Sequence, residues 1–218
     1  GGGEYFKIVS GEKIWVEIQW RPVAGRWIQE FSEPNGEILI KDSIQVKESN
    51  VRILEPTDNL IQIALHTAKH SYCRAPGFRL HSDVDRVVRY TNVDWKTFSL
   101  KVSSLHLKTA VYYSLFFAKK LLKTPVPILV LNDLKPNYLK DRIILKLIYK
   151  AGIFDQKSKK FGNFSYIIFN ILLFDRGQDI FSAIFPKANS ILNKRNKLFL
   201  PVFYTQRIYN LLFKRENL

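Results

Sequence analysis

The sequence predicts an α+β chain in which a short antiparallel or mixed β segment, residues 1–55, precedes a mostly α-helical domain, residues 56–218. Three observations predict it. Residues 13–20 alternate Ile14, Val16 and Ile18 with Trp15, Glu17 and Gln19, the two-residue period of a strand with one face in a core. From Thr57 the apolar residues Leu60, Ile63 and Ala64 fall at helical spacing. Beyond residue 120 the breakers Pro125, Pro127, Gly152, Gly162, Gly177, Pro186 and Pro201 cut the chain into pieces of helix length.

The elements follow in order. After the strand at 13–20, Pro22, Gly25, Pro34, Asn35 and Gly36 punctuate the chain. Glu37 to Lys41 and Ile44 to Lys47 read as two further short strands, with Asn35-Gly36 as a hairpin turn before the first. Glu55-Pro56 closes the segment. Thr57 is the expected N-cap of a helix running to about Tyr72, with Asp58 in its first turn. His81 to Tyr90 forms the next helix with Val84, Val87 and Val88 inward; Asn92 or Asp94 caps a third, and Leu105 to Lys123 is a long, very apolar fourth. Pro136 to Ala151, Phe164 to Phe174, Lys187 to Asn193 and Thr205 to Lys214 complete seven or eight helices.

Composition narrows the function classes. With 46% hydrophobic and 14% aromatic residues, the chain is not intrinsically disordered as a whole. The longest near-continuous apolar run, Phe164 to Phe174, has 11 residues, short of the roughly 20 that a membrane helix needs. One cysteine, Cys73, excludes an internal disulfide framework, and no secretory leader pattern is present; a cytoplasmic location is the expectation. Gly1-Gly2-Gly3 reads as an appended leader or linker. With no Met in the sequence, residue 1 is not expected to be the natural beginning.

The net charge of +15 is uneven. Residues 1–100 hold 13 Lys plus Arg against 13 Asp plus Glu, whereas residues 101–218 hold 21 against 6. The excess in 101–218 suits a polyanionic partner such as nucleic acid or an acidic protein. It equally suits solvated helix faces, because the basic residues are scattered singly or in pairs and no run of five like charges occurs.

Four places carry residues of chemical interest. On the strand, Glu17 points opposite to the Ile/Val face, with Arg21 and Arg26 following between Trp20 and Trp27; a strand carboxylate can hold Mg²⁺ and arginines can grip phosphate oxygens. His66 and His70 stand at i, i+4 on one helix face, a spacing used for metal ligation or anion binding. Arg74, Arg79, His81, Asp83, Asp85 and Arg86 follow, so that residues 66–86 hold three arginines, three histidines and two aspartates. The structural alternative is that His66 and His70 hydrogen-bond to Asp83 or Asp85 on the adjacent helix. The fourth place, Leu200 to Arg207 with Phe203 and Tyr204, has base-stacking residue types but the spacing of a terminal helix packed on the core. Walker A, GxGxxG, GxSxG and zinc-finger spacings are absent.

Several segments together resemble a known family. They are Val16-Glu17-Ile18-Gln19-Trp20-Arg21, Leu65-His66-Thr67-Ala68-Lys69-His70, Arg79-Leu80-His81-Ser82-Asp83-Val84-Asp85-Arg86, Asp94-Trp95 and the helix that ends in Pro125-Val126-Pro127. In this order they are similar to the bacterial nucleotidyltransferase family of polysaccharide and peptide natural-product gene clusters, a branch of the polymerase-β-type superfamily with a helical carboxyl-terminal region.

The resemblance implies that the β segment is the end of a nucleotidyltransferase sheet whose three carboxylates bind two Mg²⁺ ions and a nucleoside triphosphate. Glu17 takes the place of the third carboxylate and is the expected catalytic and metal residue. Arg21, Arg26, His66, His70, Arg74, Arg79, His81, Asp83 and Arg86 are the expected substrate contacts. The family's two earlier acidic residues, on an upstream strand, have no counterpart before Lys13, so the reaction is expected to be incomplete in this chain alone. The expected activity is Mg²⁺-dependent nucleotidyl transfer from an NTP to an acceptor. Two alternatives are a non-catalytic basic helical module that binds nucleic acid or an acidic partner, and a helical phosphohydrolase using His66, His70, His81 and Asp83 around a metal.

Overall fold

The computed structural model describes residues 2–19, 34–75, 77–155, 160–185, 202, 204–206 and 209. The expected helices at 187–193 and most of 205–214 lie outside these residues, as do Trp20, Arg21, Arg26 and Trp27.

The chain begins with a hairpin. Strand β1 (Gly2–Val9) runs antiparallel to β2 (Glu12–Gln19), in a register from Gly2 opposite Gln19 to Val9 opposite Glu12. The connection is the two residues Ser10 and Gly11, both at positive φ (51° and 83°), the turn whose twist matches that of paired strands and which a glycine makes accessible. Phe6 sits across from Trp15 with ring centroids 5.4 Å apart, and the Lys13 ammonium lies 3.9 Å from the Phe6 centroid and 4.0 Å from that of Trp15. The strand at 13–20 is thus present, but its Ile14, Val16 and Ile18 face is 50–57% exposed rather than lining a core. Alternation records the pleat, not a second layer to pack against.

The next segment corrects the strand expected at 37–41. It is a helix, α1 (Gly36–Asp42), because the Asn35 side chain accepts from the backbone N–H of Glu37 at 2.8 Å and of Ile38 at 3.4 Å, capping a helix instead of turning a hairpin. Of its apolar residues only Leu39 is buried. The strand expected at 44–47 survives as β3 (Ile44–Gln45), paired antiparallel with β4 (Arg52–Ile53).

From here the chain is helical. Helix α2 (Pro56–Lys69) starts earlier than expected: Glu55, not Thr57, is the N-cap, accepting from the N–H of Thr57 at 2.9 Å and of Asp58 at 3.3 Å. Pro56 occupies the first turn, where its missing N–H costs nothing. Helix α3 spans Phe78–Tyr90 and α4 Trp95–Ser104, the latter capped by Asp94 through the N–H groups of Lys96 and Thr97. Helix α5 (Lys108–Leu122) begins later than the expected Leu105, because Leu105 caps the end of α4 and His106 turns the chain at φ 56°. Then follow α6 (Ile128–Leu134), α7 (Tyr138–Ala151), α8 (Asn163–Leu173) and α9 (Gly177–Ile184). Helices α6 and α9 are additions to the sequence reading.

The core is organised around α5. Val111, Tyr113, Leu115, Phe117 and Ala118 have no exposed surface. Around them stand Leu60, Ala64 and Leu65 of α2, Val84 of α3, Phe98 and Val102 of α4, Leu131 and Leu134 of α6, Ile144 and Ile148 of α7, and Phe169 of α8. Each such aliphatic or aromatic side chain contributes about 1.5–3 kcal/mol on burial.

The first turn of α5 is held from a distance. The Asp175 carboxylate accepts from the N–H of Lys108 at 2.6 Å, from the N–H of Thr109 at 3.0 Å and from the Thr109 hydroxyl at 2.6 Å. These bonds tie the segment after α8 to α5, so Asp175→Ala should lower unfolding free energy by about 1–2 kcal/mol in urea titrations. Asp133→Ala, which removes only the exposed partner of Lys108 at 2.9 Å, should cost less than about 1 kcal/mol; equal losses would show that Asp175 is not a cap.

Candidate functional site

The expected site residues between His66 and Arg86 lie on the end of α2, the connection 70–77 and α3. That connection is fixed from inside. Ser71 and Tyr72 both take left-handed backbone (φ 54° and 62°), a conformation that costs a bulky residue about 1 kcal/mol or more and persists only when its surroundings enforce it. Here they do. Tyr72 is fully buried, its hydroxyl donates to the Ala110 carbonyl at 2.7 Å, and its ring packs on Tyr113, Phe117 and Phe169.

His81 belongs to this support. It is fully buried, and its Nε2 donates to the Tyr72 carbonyl at 2.8 Å. A carbonyl can only accept, so Nε2 carries the proton and Nδ1, buried without a partner, does not. Burial lowers its pKa below the ordinary histidine value. His81 therefore holds the connection in place and presents no surface to a substrate.

His66 and His70 do come together, on the exposed side of α2, with ring centroids 4.7 Å apart. Burial, then the neighbouring His66, lower the pKa of His70 to about 4, against an opposing backbone hydrogen bond at Ala75. At neutral pH His70 is an uncharged imidazole, a hydrogen-bonding group and not a cation. The structural alternative for the pair does not hold for Asp85. That carboxylate accepts from Arg89 at 2.8 and 3.0 Å and from the Thr124 hydroxyl at 2.6 Å, while Arg89 donates onward to the carbonyls of Leu122 and Lys123. Asp85 and Arg89 clamp α3 to the end of α5.

The remaining charged residues of the segment face outward. Arg79, Asp83 and Arg86 stand at i, i+4 and i+7 along α3, with the two arginines exposed and Asp83 half-buried between them. Arg74, half-buried, places its guanidinium 5.8 Å from the Tyr166 ring centroid. Cys73 is buried and its thiol is pushed up to about 11 by that burial, so it is no nucleophile at neutral pH.

Glu17 lies on β2, opposite Glu4 of β1 in the register. Arg21 and Arg26 are outside the described residues. Among the described residues no three His, Cys, Asp or Glu side chains gather into a metal-holding group. His81, buried against the Tyr72 carbonyl, is not placed to join a histidine-aspartate metal centre. No helix among the described residues is long and apolar enough to cross a membrane.

A family model described as an uncharacterised nucleotidyltransferase matches residues 3–123, more than half of the chain. The match runs from β1 to the residue that ends α5 and so includes Glu17 and the whole His66–Arg86 segment. No curated protein and no solved structure matches the chain.

The state of His70 has a consequence for stability. Its folded pKa is lowered, so between about pH 6.5 and about pH 4 the unfolded chain binds the proton more readily than the fold does. Its contribution to stability is thus complete above that window and is lost as pH falls through it. His70→Gln should flatten the acid-side drop in melting temperature between pH 6.5 and 4.5; an unchanged profile would show that His70 is protonated as freely in the fold as outside it.

Proposed function

Because the chain belongs to the uncharacterised nucleotidyltransferase family, we propose that it serves metal-dependent transfer of a nucleotidyl group from an NTP to an acceptor, with Mg²⁺ as the cofactor. The family match over residues 3–123 carries this reading. In such a transfer an acceptor oxygen attacks the α-phosphorus, the bond to the bridging oxygen breaks and pyrophosphate leaves. Catalysis is mainly positioning and charge compensation. Mg²⁺, when bound, supplies the larger part of that compensation.

Glu17 supplies one carboxylate to the metal. The part assigned to this chain's other residues is binding. Arg74, Arg79 and Arg86, permanently charged, are the groups to hold phosphate oxygens; Arg21 and Arg26 are assigned the same work from the strand side. Neutral His70, with His66, is suited to donate a hydrogen bond to a phosphate or an acceptor hydroxyl, and Asp83 to orient the arginines on either side of it. His81 acts beneath them by fixing the 70–77 connection.

The test uses the natural full-length protein, nucleoside triphosphates radiolabelled at the α-phosphate and a small-molecule extract as acceptor pool. Mg²⁺-dependent incorporation of label is expected, with loss of about a hundredfold or more in Glu17→Gln. Normal turnover in that variant would remove Glu17 from the site. Arg79→Ala with Arg86→Ala should raise KM for the triphosphate while leaving the melting temperature unchanged.

A further inference from the structure

A groove that the proposed transfer does not use straddles the end of the family match. It runs along α5 towards α6 and the start of α7. Lys108, Tyr112, Phe116 and Lys120 succeed one another at four-residue steps on α5, which places them in one stripe about 18 Å long. Two adjoining hollows open along this stripe. The first, about 280 Å³, lies at the start of α5 and is lined by Lys108, Thr109, Lys140 and Asp175 among others; the second, about 290 Å³, is walled by Tyr112, Phe116 and Leu131 with Lys119 and Lys120. Lys135 lines both.

The two hollows differ in chemistry. In the second, the Tyr112 and Phe116 rings lie 5.7 Å apart at 23°, a stacked pair beside aliphatic Ile128 and Leu131. The first mixes the cationic and polar side chains of Lys108, Thr109, Lys135, Asn137 and Lys140 with apolar Leu134 and Pro136. Its one carboxylate, Asp175, accepts from the amides and hydroxyl at the start of α5 and keeps its charge, which acts on Lys140. Of the five lysines around the groove, Lys108 pairs with Asp133 and Lys135 stands 3.7 Å from Asp141. The other three donate only to uncharged oxygens: Lys119 to the Val126 carbonyl, Lys120 to the Tyr149 hydroxyl, and Lys140 to the Phe174 carbonyl and the Thr109 hydroxyl. The charges of Lys119 and Lys120 are thus hydrogen-bonded but not cancelled, whereas Lys140 also feels the Asp175 carboxylate. Lys135, half exposed and loosely paired, is the cation freest to turn towards a ligand.

We propose that this groove binds a phosphomonoester of an aromatic ring system, of which a nucleoside monophosphate is the simplest form. The ring lies in the Tyr112–Phe116 hollow and the phosphate against Lys135 and the lysines beside it. An aromatic floor flanked by Lys119 and Lys120, with half-exposed Lys135 at the junction of the hollows, recognises that pairing of a π face with an anion. No residue of the His66–Arg86 segment lines it, and neither reading depends on the other.

The test is calorimetric titration of the full chain, at low ionic strength and with EDTA present, with adenosine monophosphate, adenosine and inorganic phosphate as separate probes. Saturable binding of the monophosphate is expected, tighter than that of either fragment. Lys135→Gln should weaken it about tenfold, the worth of one charge-assisted contact. Phe116→Leu should weaken the monophosphate about fivefold or more and leave inorganic phosphate unaffected. Both variants are to be checked for an unchanged circular dichroism spectrum. No saturable monophosphate binding in the millimolar range, or Lys135→Gln binding within about twofold of the parent, would overturn the proposal. Phosphate binding as tight as that of the monophosphate would remove the aromatic half of it.

Discussion

The helical domain depends on one constraint: α5 is buried nearly all round, so each polar group it carries into the interior must find a partner there. Residues 109 to 115 of α5 are all buried, four of them with hydroxyl groups. A buried hydroxyl left unpaired costs about 1–3 kcal/mol. Ser114 donates to the Ala64 carbonyl of α2, Tyr113 to Asp141 of α7, and Thr109 to Asp175 after α8, while Tyr72 reaches in from the 70–77 connection to the Ala110 carbonyl. Each of these bonds attaches a different element to α5 at a fixed height. Apolar packing supplies most of the free energy, but the hydroxyl partners select one arrangement of the neighbours among the many that would bury similar area. Burial together with the Asp141 hydrogen bond also raises the Tyr113 pKa well above the ordinary tyrosine value, so this group stays a donor.

That arrangement decides where chemistry can occur. Tyr72 can reach α5 only if the chain at Ser71 and Tyr72 takes its left-handed turn, and His81 then finds the Tyr72 carbonyl within reach. Fixing these two residues inward leaves His66 and His70 on the outer face of α2, with Arg79, Asp83 and Arg86 on the outer face of α3. On the far side, the same helix needs Asp175 for its first turn, which brings Lys140 and Lys108 to the head of the groove. One buried helix thus presents two separate surfaces to solvent, and both are set by how its polar groups are satisfied.

The sequence made part of this legible. Helical spacing after Thr57 placed α2, α3, α4, α7 and α8, because each buries a single stripe and the period shows through. The β segment was read less well for an opposite reason. Gly2 and Gly3, expected to belong to an appended leader, are the first residues of β1. Conversely, the run Glu37 to Lys41 reads as a strand where Asn35 caps a helix, and a side chain accepting two N–H groups outweighs the three consecutive apolar residues Ile38, Leu39 and Ile40. Among the site residues, the i, i+4 spacing of His66 and His70 was informative, whereas His81 could not be told from them. Its burial is set by Tyr72, nine residues away in sequence and in a backbone conformation that no propensity announces. The groove along α5 was invisible because its two ends come from residues 108 to 120 and 128 to 140, joined only by the packing of α6.

The positive charge of residues 101–218 follows from the same economy of polar groups. Many of these lysines do not pair with carboxylates; they close carbonyls at helix ends and loops, as Lys119 does at Val126, Lys140 at Phe174, and Lys160 at Gly152 and Asp155. A carbonyl satisfies an ammonium's hydrogen-bonding demand while leaving its charge intact. With 21 basic against 6 acidic residues in this half, such capping leaves a positive field as a by-product of stability. Lysines that hold loops together thereby keep their charge, as Lys119 and Lys120 do beside the stacked Tyr112 and Phe116 rings.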